Sequence, residues 1–157
     1  MIIGIDPGVL GALCFYKSRD EFELYKMPAL YEINKLSEMF KIHGKGTVYI
    51  EKAQSMPQQG VKSMFNYGKH TGWVLGFIQA HRMPFVEVSP VVWTKKLHAG
   101  VTQYKGKGSG KLKSLEAVNK LYPEVNLLAS ERSKKPHDGF IDALLIAHFG
   151  YINENQG

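Results

Sequence analysis

The order of elements along the chain predicts an α/β protein with a five-stranded mixed sheet and helices on both faces. Three strand patterns open the chain, a helix separates them from a fourth strand, and a long helix precedes a fifth. Beyond the fifth strand, only helical patterns follow. The chain has 157 residues, of which 44% are hydrophobic and 22% charged. No linker or repeat divides it, so we expect residues 1–157 to form one domain around a sizeable core.

Each predicted strand is a short run of β-branched, apolar or alternating residues bounded by turn residues. The strands are predicted at residues 2–5, 12–16, 22–27, 47–50 and 84–88. Each predicted helix places apolar residues three or four positions apart, or begins at an N-cap followed by proline. The helices are predicted at residues 31–43, 61–82, 89–97, 111–121 and 136–150. Residues 100–110 form a loop rich in glycine and lysine, which we expect to be mobile in the free protein.

The charge balance favours a polyanionic partner. Lysine and arginine number 20 against 14 acids, which gives a net charge of +6 and a pI near 9.3. Between residues 88 and 115 there is no acid and there are six lysines. No apolar run has the roughly 20 residues of a membrane helix, no signal peptide is visible, and Cys14 stands alone. We therefore expect an intracellular protein without membrane contact, zinc or a small-molecule cofactor.

Four carboxylates stand in unusual surroundings. Asp6 and Glu51 each end an apolar strand, whereas Asp138 and Asp142 lie one turn apart at the start of an apolar helix. Asp6 could simply cap the turn that Pro7 and Gly8 form. Asp138 could stabilise the N-terminus of its helix, where negative charge is favourable. Asp142 is poorly explained in that way because apolar residues flank it. Gathered acids repel one another, and a divalent cation relieves that repulsion. Carboxylate oxygens favour Mg²⁺ or Mn²⁺, and two such ions would suit phosphodiester cleavage.

Three blocks of sequence carry a resemblance to a known family. They are Ile3-Gly4-Ile5-Asp6-Pro7-Gly8, Tyr49-Ile50-Glu51 and Ile141-Asp142-Ala143-Leu144-Leu145-Ile146-Ala147. In order and spacing they resemble the RuvC family of Holliday-junction resolvases. Residues 51–68 resemble the phage-type branch closely and the chloroplast resolvases more distantly. The resemblance implies an RNase H-like fold, a homodimer, two Mg²⁺ ions per site and paired nicks in four-way DNA junctions. A phage-encoded protein acting in the host cell would fit it.

The resemblance also assigns roles to residues. Asp6, Glu51 and Asp142 match the family's acids, with Asp6 expected to bridge the two ions. The fourth acid is expected at Gly139, so Asp138 or His137 would replace it. Lys111 resembles a helper lysine of the chloroplast relatives, although it could equally be an ordinary phosphate contact.

DNA is expected to lie along lysines and along the segment that follows Glu51. Phe65 or Tyr67 could stack on an exposed base, although Phe65 could also pack into the core or a dimer contact. Gly68, Gly72 and Gly76 share one helix face, which indicates close approach by another element or a second subunit. We interpret both tryptophans as core or interface residues. The expected DNA contacts are Gln58, Lys62, Phe65, Tyr67, Lys95, Lys96, Lys105, Lys107, Lys111 and Lys113, with Lys52 and Lys69 as further candidates.

Three other functions share some of these features. A broader nuclease for flaps, forks or three-way branches would use the same acids on a different substrate. A binding module would recognise junctions without cutting them. An ATP-binding domain of the actin and sugar-kinase kind also opens with a strand-end aspartate and a glycine-rich turn. The chain is too short for the paired halves of that fold.

Overall fold

The computed structural model of the chain describes residues 1–54 and 60–155. In these residues a five-stranded sheet in the order β3-β2-β1-β4-β5 carries helices on both faces. This confirms the predicted α/β architecture. The strands are β1 (Ile2–Asp6), β2 (Ala12–Ser18), β3 (Glu21–Lys26), β4 (Thr47–Glu51) and β5 (Phe85–Val88). The helices are α1 (Ile33–His43), α2 (Val61–Ala80), α3 (Pro90–Leu97), α4 (Ser109–Leu121) and α5 (Asp138–Asn155).

The sheet is mixed because its first three strands form antiparallel hairpins and its last two run parallel to β1. Parallel strands end at one edge of a sheet, so the carboxyl ends of β1, β4 and β5 lie together. In the open sheets of α/β proteins, that edge is where ligands bind. The topology therefore directs attention to the residues that end these three strands.

Two helix boundaries differ from the sequence prediction for a conformational reason. Tyr31 and Arg82 have φ angles of 73° and 51°. This left-handed conformation cannot continue a right-handed helix. Helix α1 consequently begins at Ile33, and α2 ends at Ala80. Helix α5 continues to Asn155, beyond the predicted end at residue 150.

The sheet separates two apolar cores. Side chains of a strand alternate between its faces, so Ile3 and Ile5 of β1 pack towards α1 and α2. Ile2 and Tyr49 lie on the opposite face, which packs against α5. This alternation continues to the strand ends. The carboxylate of Asp6 therefore shares the α5 face of the sheet.

Helix α5 packs directly onto the centre of the sheet. A β-carbon at Gly4 would lie 2.3 Å from the carbonyl oxygen of Ala143 and 2.4 Å from the amide nitrogen of Ala147. Only glycine permits this approach of helix to strand. Helices α3 and α4 contact α5 as well, which explains why α5 is apolar around its circumference. Among the described residues, however, no helix combines the length and apolarity that a bilayer crossing requires.

Candidate active site

Acids from three separate segments converge at the carboxyl edge of the parallel strands. Asp6 ends β1 and Glu51 ends β4. The two strands pair in parallel with Ile5 opposite Ile50, so the next residue of each strand is one of these acids. Asp142 lies in the first turns of α5, which crosses the same face. The sequence prediction that residues 6, 51 and 142 meet is consistent with this geometry.

The first turn of α5 rests on the turn that follows β1. A β-carbon at Gly139 would lie 2.5 Å from the carbonyl oxygen of Leu10 and 2.7 Å from the carbonyl carbon of Gly11. Any side chain at residue 139 would therefore separate α5 from β1. This packing explains why the position expected for the fourth family acid holds glycine. Asp138, the preceding residue, is the carboxylate available there.

The carboxylates raise one another's pKa. Burial, followed by the charges of Asp6, Glu51 and Asp138, raises the pKa of Asp142 to about 8. Burial and then Asp6 raise the pKa of Glu51 to about 7. Burial is also the main cause that raises the pKa of Asp6, although the Gly8 amide donates to its Oδ1 at 3.3 Å and opposes the rise. Ionisation of these three carboxyls is therefore disfavoured in the protein alone.

Carboxylate oxygens that repel one another are suitable ligands for a hard divalent cation. Within residues 1–54 and 60–155, no three Asp, Glu, His or Cys side chains already stand close enough together to enclose a metal ion. Side-chain rotation would be required to complete such a site. The chemistry of the donor set fits Mg²⁺ or Mn²⁺, since the four acids offer only oxygen ligands.

Asp138 and His137 differ in their surroundings. Asp138 forms an ion pair with Lys111 of α4, and both side chains are exposed. Asp138 also contributes to the raised pKa of Asp6 and Asp142. The His137 ring instead packs on Phe140 at 4.7 Å between ring centroids, and its Nδ1 accepts from the Phe140 amide at 3.3 Å. His137 therefore caps α5, which favours Asp138 as the fourth acid.

Two buried side chains contact the acids of the site. Neither was expected there from the sequence. The indole Nε1–H of Trp93 donates to Glu51 Oε2 at 2.9 Å. Ser114 of α4 faces Asp142, and its hydroxyl opposes the rise in the pKa of that carboxyl. From the sequence, Trp93 is expected only in the core or at an interface. The sequence carries no signal for this bond, because it depends on the parallel pairing of β4 and β5, which places the start of α3 beside Glu51.

A buried histidine anchors α2 to the turn after Asp6. His70 is 1% exposed, and its two ring nitrogens face the carbonyl oxygens of Pro7 at 2.8 Å and Pro28 at 3.2 Å. The apolar periodicity of α2 gave no sign of this role. The contact fixes the middle of α2 beside the turn that follows Asp6.

Tyr67 reaches the acidic cluster from α2. Its ring would be 3.8 Å from a β-carbon built on Gly8. Burial, followed by the charges of Glu51, Asp6 and Asp142, raises the pKa of the Tyr67 hydroxyl well above its usual value. The hydroxyl therefore stays protonated beside the acids. It also borders a cavity of about 430 Å³ lined by Glu51, Lys52, Gln54, Ser63, Tyr67, Pro90 and Val91.

Phe65 and the three glycines of α2 face away from the cores. The Phe65 side chain is 68% exposed, so it does not pack into the core of this chain. Apart from the neighbouring backbone of α2 itself, no atom of the described residues lies within 4 Å of a β-carbon built at Gly68, Gly72 or Gly76. For the part of the chain that the structure describes, the expected approach of another element to these glycines is therefore wrong. Gln58 lies outside the described residues.

Most of the lysines predicted to bind DNA are on the surface, but Lys96 points away from the acids. It bonds Asn153 Oδ1 at 2.8 Å and lies over the Phe149 ring, in the half of α5 remote from Asp138 and Asp142. The role of Lys96 in DNA binding stays a prediction with no support from its position. Lys113 is half-buried, and the other lysines of the predicted set are exposed, namely Lys52, Lys62, Lys69, Lys95, Lys96, Lys105, Lys107 and Lys111.

The glycine- and lysine-rich loop is attached to α4 at its beginning. The Glu116 carboxylate accepts from the Thr102 amide at 3.1 Å and from the Tyr104 hydroxyl at 2.9 Å. Lys113 Nζ donates to Gln103 Oε1 at 3.1 Å. These bonds hold residues 102–104 and present Lys105 beyond them.

The sheet order, the flanking helices and the acids at the strand ends define an α/β fold of the RNase H-like class. Several solved structures share it, among them two of RuvC. RuvC from Thermus thermophilus matches with a TM-score of 0.62 and 16% identity, and the same protein in complex with a Holliday junction substrate matches with 0.61 and 15%. Each match covers 99% of this chain and 96% of the other. No protein-family profile and no curated protein sequence matches significantly.

Proposed function

We propose that this protein is a metal-dependent endonuclease that makes paired nicks in four-way DNA junctions, with residues 1–157 as one nuclease domain. The convergence of Asp6, Glu51, Asp138 and Asp142 carries the proposal, since burial and mutual repulsion raise the pKa values of three of them. The RuvC-like fold supports it, because one structure of that fold holds a Holliday junction. The motifs favour the phage-type branch.

The proposed cofactor is Mg²⁺, with Mn²⁺ able to replace it and two ions in each site. Asp6, Glu51, Asp138 and Asp142 would hold these ions, with Asp6 shared between them. Bound ions of this kind supply positive charge and Lewis acidity at a scissile phosphate. The raised pKa of Asp142 supports this assignment, because a cation would stabilise the ionised carboxylate that burial disfavours.

The chain's own cationic and hydroxyl groups have separate roles. Lys111 lies against Asp138, so its ammonium would stabilise negative charge that develops on the phosphate. Tyr67 keeps its proton beside the acids and would donate it in a hydrogen bond to a phosphate oxygen. Neither group would act as a base, because Lys111 also has a raised pKa through its pairing with Asp138.

The proposed DNA surface combines exposed lysines with one aromatic side chain. The exposed lysines of this surface are Lys62 on α2, Lys95 on α3, and Lys105 and Lys107 in the glycine- and lysine-rich loop. Phosphate contacts of this kind make affinity fall steeply with salt. Phe65 is free to stack on an unpaired base at the junction centre, since it lies outside the core.

We propose a homodimer that uses the open face of α2. Gly68, Gly72 and Gly76 offer a surface on which the described part of the chain places nothing. Such a face permits the close approach of a second backbone. A symmetric pair of subunits would place one acidic cluster at each of two DNA strands, as paired nicking requires.

The test compares the wild-type protein with Asp6→Asn on synthetic four-way, three-way and flap DNA. We expect the wild type to cut the four-way junction in Mg²⁺ and not in EDTA, and Asp6→Asn to bind it without cutting. Asp20→Asn, an exposed turn acid, is the matched control and should cut normally. Equal rates on all three substrates would replace the resolvase proposal with a broader branched-DNA nuclease. Cutting by Asp6→Asn at the wild-type rate would refute the site.

A further inference from the structure

Helix α3 places a hydrogen-bond donor behind Glu51. Strand β5 pairs in parallel with β4, and Val88 lies opposite Glu51. Helix α3 begins two residues later, at Pro90. Its first turn therefore lies at the carboxyl end of β4. Trp93, which is 2% exposed, points its indole from this turn and donates to Glu51 Oε2 at 2.9 Å.

The chemistry of this bond restricts Glu51. An indole N–H only donates, so Oε2 must be the acceptor and the bond favours the ionised carboxylate. Its effect on the pKa of Glu51 is downward, against burial and the charge of Asp6. A glutamate has three side-chain torsions, and one buried partner removes much of their freedom. The other oxygen remains available to a cation.

The tryptophan is itself held by contacts that lead to Asp142. The Trp93 and His98 rings form a T-shaped pair, with 5.9 Å between centroids and the planes at 82°. His98 Nε2 lies 3.1 Å from Ser114 Oγ. Ser114 is 5% exposed and faces Asp142. A continuous line of side chains from α3 and α4 thus supports two acids that come from β4 and α5.

We propose that Trp93 is a positioning residue that orients Glu51 for the binding of a divalent cation. This inference rests on the proposed nuclease function, which makes Glu51 a ligand. Trp93 touches neither DNA nor the scissile phosphate in this scheme, and it acts only through Glu51. Partners that orient a metal ligand typically alter metal affinity or activity by about 10- to 100-fold when removed.

The first experiment measures cutting of a four-way junction against Mg²⁺ concentration. For Trp93→Phe we expect the Mg²⁺ concentration at half-maximal rate to rise about 10-fold or more. Junction affinity in EDTA should stay within about twofold, because the lysines that contact phosphates are unchanged. Trp73→Phe is the matched control, since it removes the other indole of the chain from the opposite core. Its Mg²⁺ dependence should equal that of the wild type.

A variant that retains the ring volume separates positioning from packing. Replacement of the Trp93 indole by benzothiophene, through an unnatural amino acid, exchanges the N–H for sulfur and preserves the bicyclic shape. This variant should fold like the wild type and still require about 10-fold more Mg²⁺. An unchanged Mg²⁺ requirement in this variant overturns the inference, whatever the stability of Trp93→Phe.

The second experiment uses the two indole N–H signals of ¹⁵N-labelled protein without DNA. We expect added Mg²⁺ to shift the Trp93 signal and leave the Trp73 signal in place, and Asp6→Asn to abolish the shift. If the protein shows the Mg²⁺ shift but cuts no junction, the positioning role stands and the nuclease proposal fails. If the protein cuts junctions while the Trp93 signal stays fixed in Mg²⁺, the positioning role fails alone.

Discussion

Asp142→Asn should stabilise the metal-free protein at alkaline pH. The ordinary pKa of this carboxyl is 3.8, and burial with neighbouring charges raises it to about 8 in the folded chain. Between these values the folded state keeps a proton that the unfolded chain releases. Rising pH therefore favours unfolding, and stability falls from about pH 4 until the folded carboxyl has ionised near pH 8. Asparagine removes this loss because it carries no charge.

The expected gain follows from the size of the shift. One pKa unit corresponds to about 1.4 kcal/mol, so a rise from 3.8 to about 8 sets an upper limit of about 6 kcal/mol. Partial solvent access and protonation of the neighbouring acids reduce this, and we expect about 3 kcal/mol at pH 8.5. For 157 residues this corresponds to about 9 °C in Tm.

Thermal unfolding in EDTA at pH 5 and pH 8.5, at equal protein concentration, measures the effect. The gain should shrink by more than half at pH 5, where the carboxyl of the folded wild type is protonated. Added Mg²⁺ should raise the Tm of the wild type at pH 8.5 and that of Asp142→Asn much less. Asp20→Asn, in an exposed turn, should change stability by less than about 0.5 kcal/mol. A Tm of Asp142→Asn at or below that of the wild type at pH 8.5 refutes the account of the cluster.

Three further predictions concern packing, chemistry and DNA binding. Gly4→Ala should lower stability by about 1–3 kcal/mol, seen as a lower Tm, because the added methyl meets the Ala143 backbone; an unchanged Tm would contradict this. Lys111→Met should reduce the maximal cutting rate by about 100-fold while junction affinity changes little; an unchanged rate would remove the lysine from the site. Glu116→Gln should weaken the attachment of residues 102–104. The affinity for the junction, measured by fluorescence anisotropy, should then fall severalfold. An affinity equal to that of the wild type would show that this loop does not contribute to DNA binding.

Much of the fold, and the selection of three of the acids as candidates, could be predicted from the sequence. Period-two alternation in β1 and β4 fixes the face on which Asp6 and Glu51 lie, and β-branched runs mark both strands. Asp142 stood out as a charge among apolar residues. These signals depend on local sequence alone. They predict positions in the folded chain because the ends of strands and the faces of helices follow from regular backbone geometry.

The supporting contacts could not be predicted in the same way. Burial of Trp93 is evident from its surroundings in sequence, but the direction of a single N–H depends on how α3 meets β4. His70 bonds two turns that are far from it in sequence. The exclusion of a side chain at Gly139 depends on the Leu10 carbonyl, on another element. Each of these contacts is long-range, and residue spacing carries no information about it.

The separation of the two cores by the sheet has an evolutionary consequence. The side chains beneath α1 and α2 can be substituted together while the packing of α5 on the opposite face is retained. This is possible because Ile3 and Ile5 pack on one face of the sheet and Gly4 on the other. In the proposed dimer, mutations in the outer face of α2 would then change the contact between the two subunits without disturbing the acids at the strand ends. If the proposed nuclease function holds, related chains could in this way acquire preferences for DNA branches of different geometry while the acids stay unchanged.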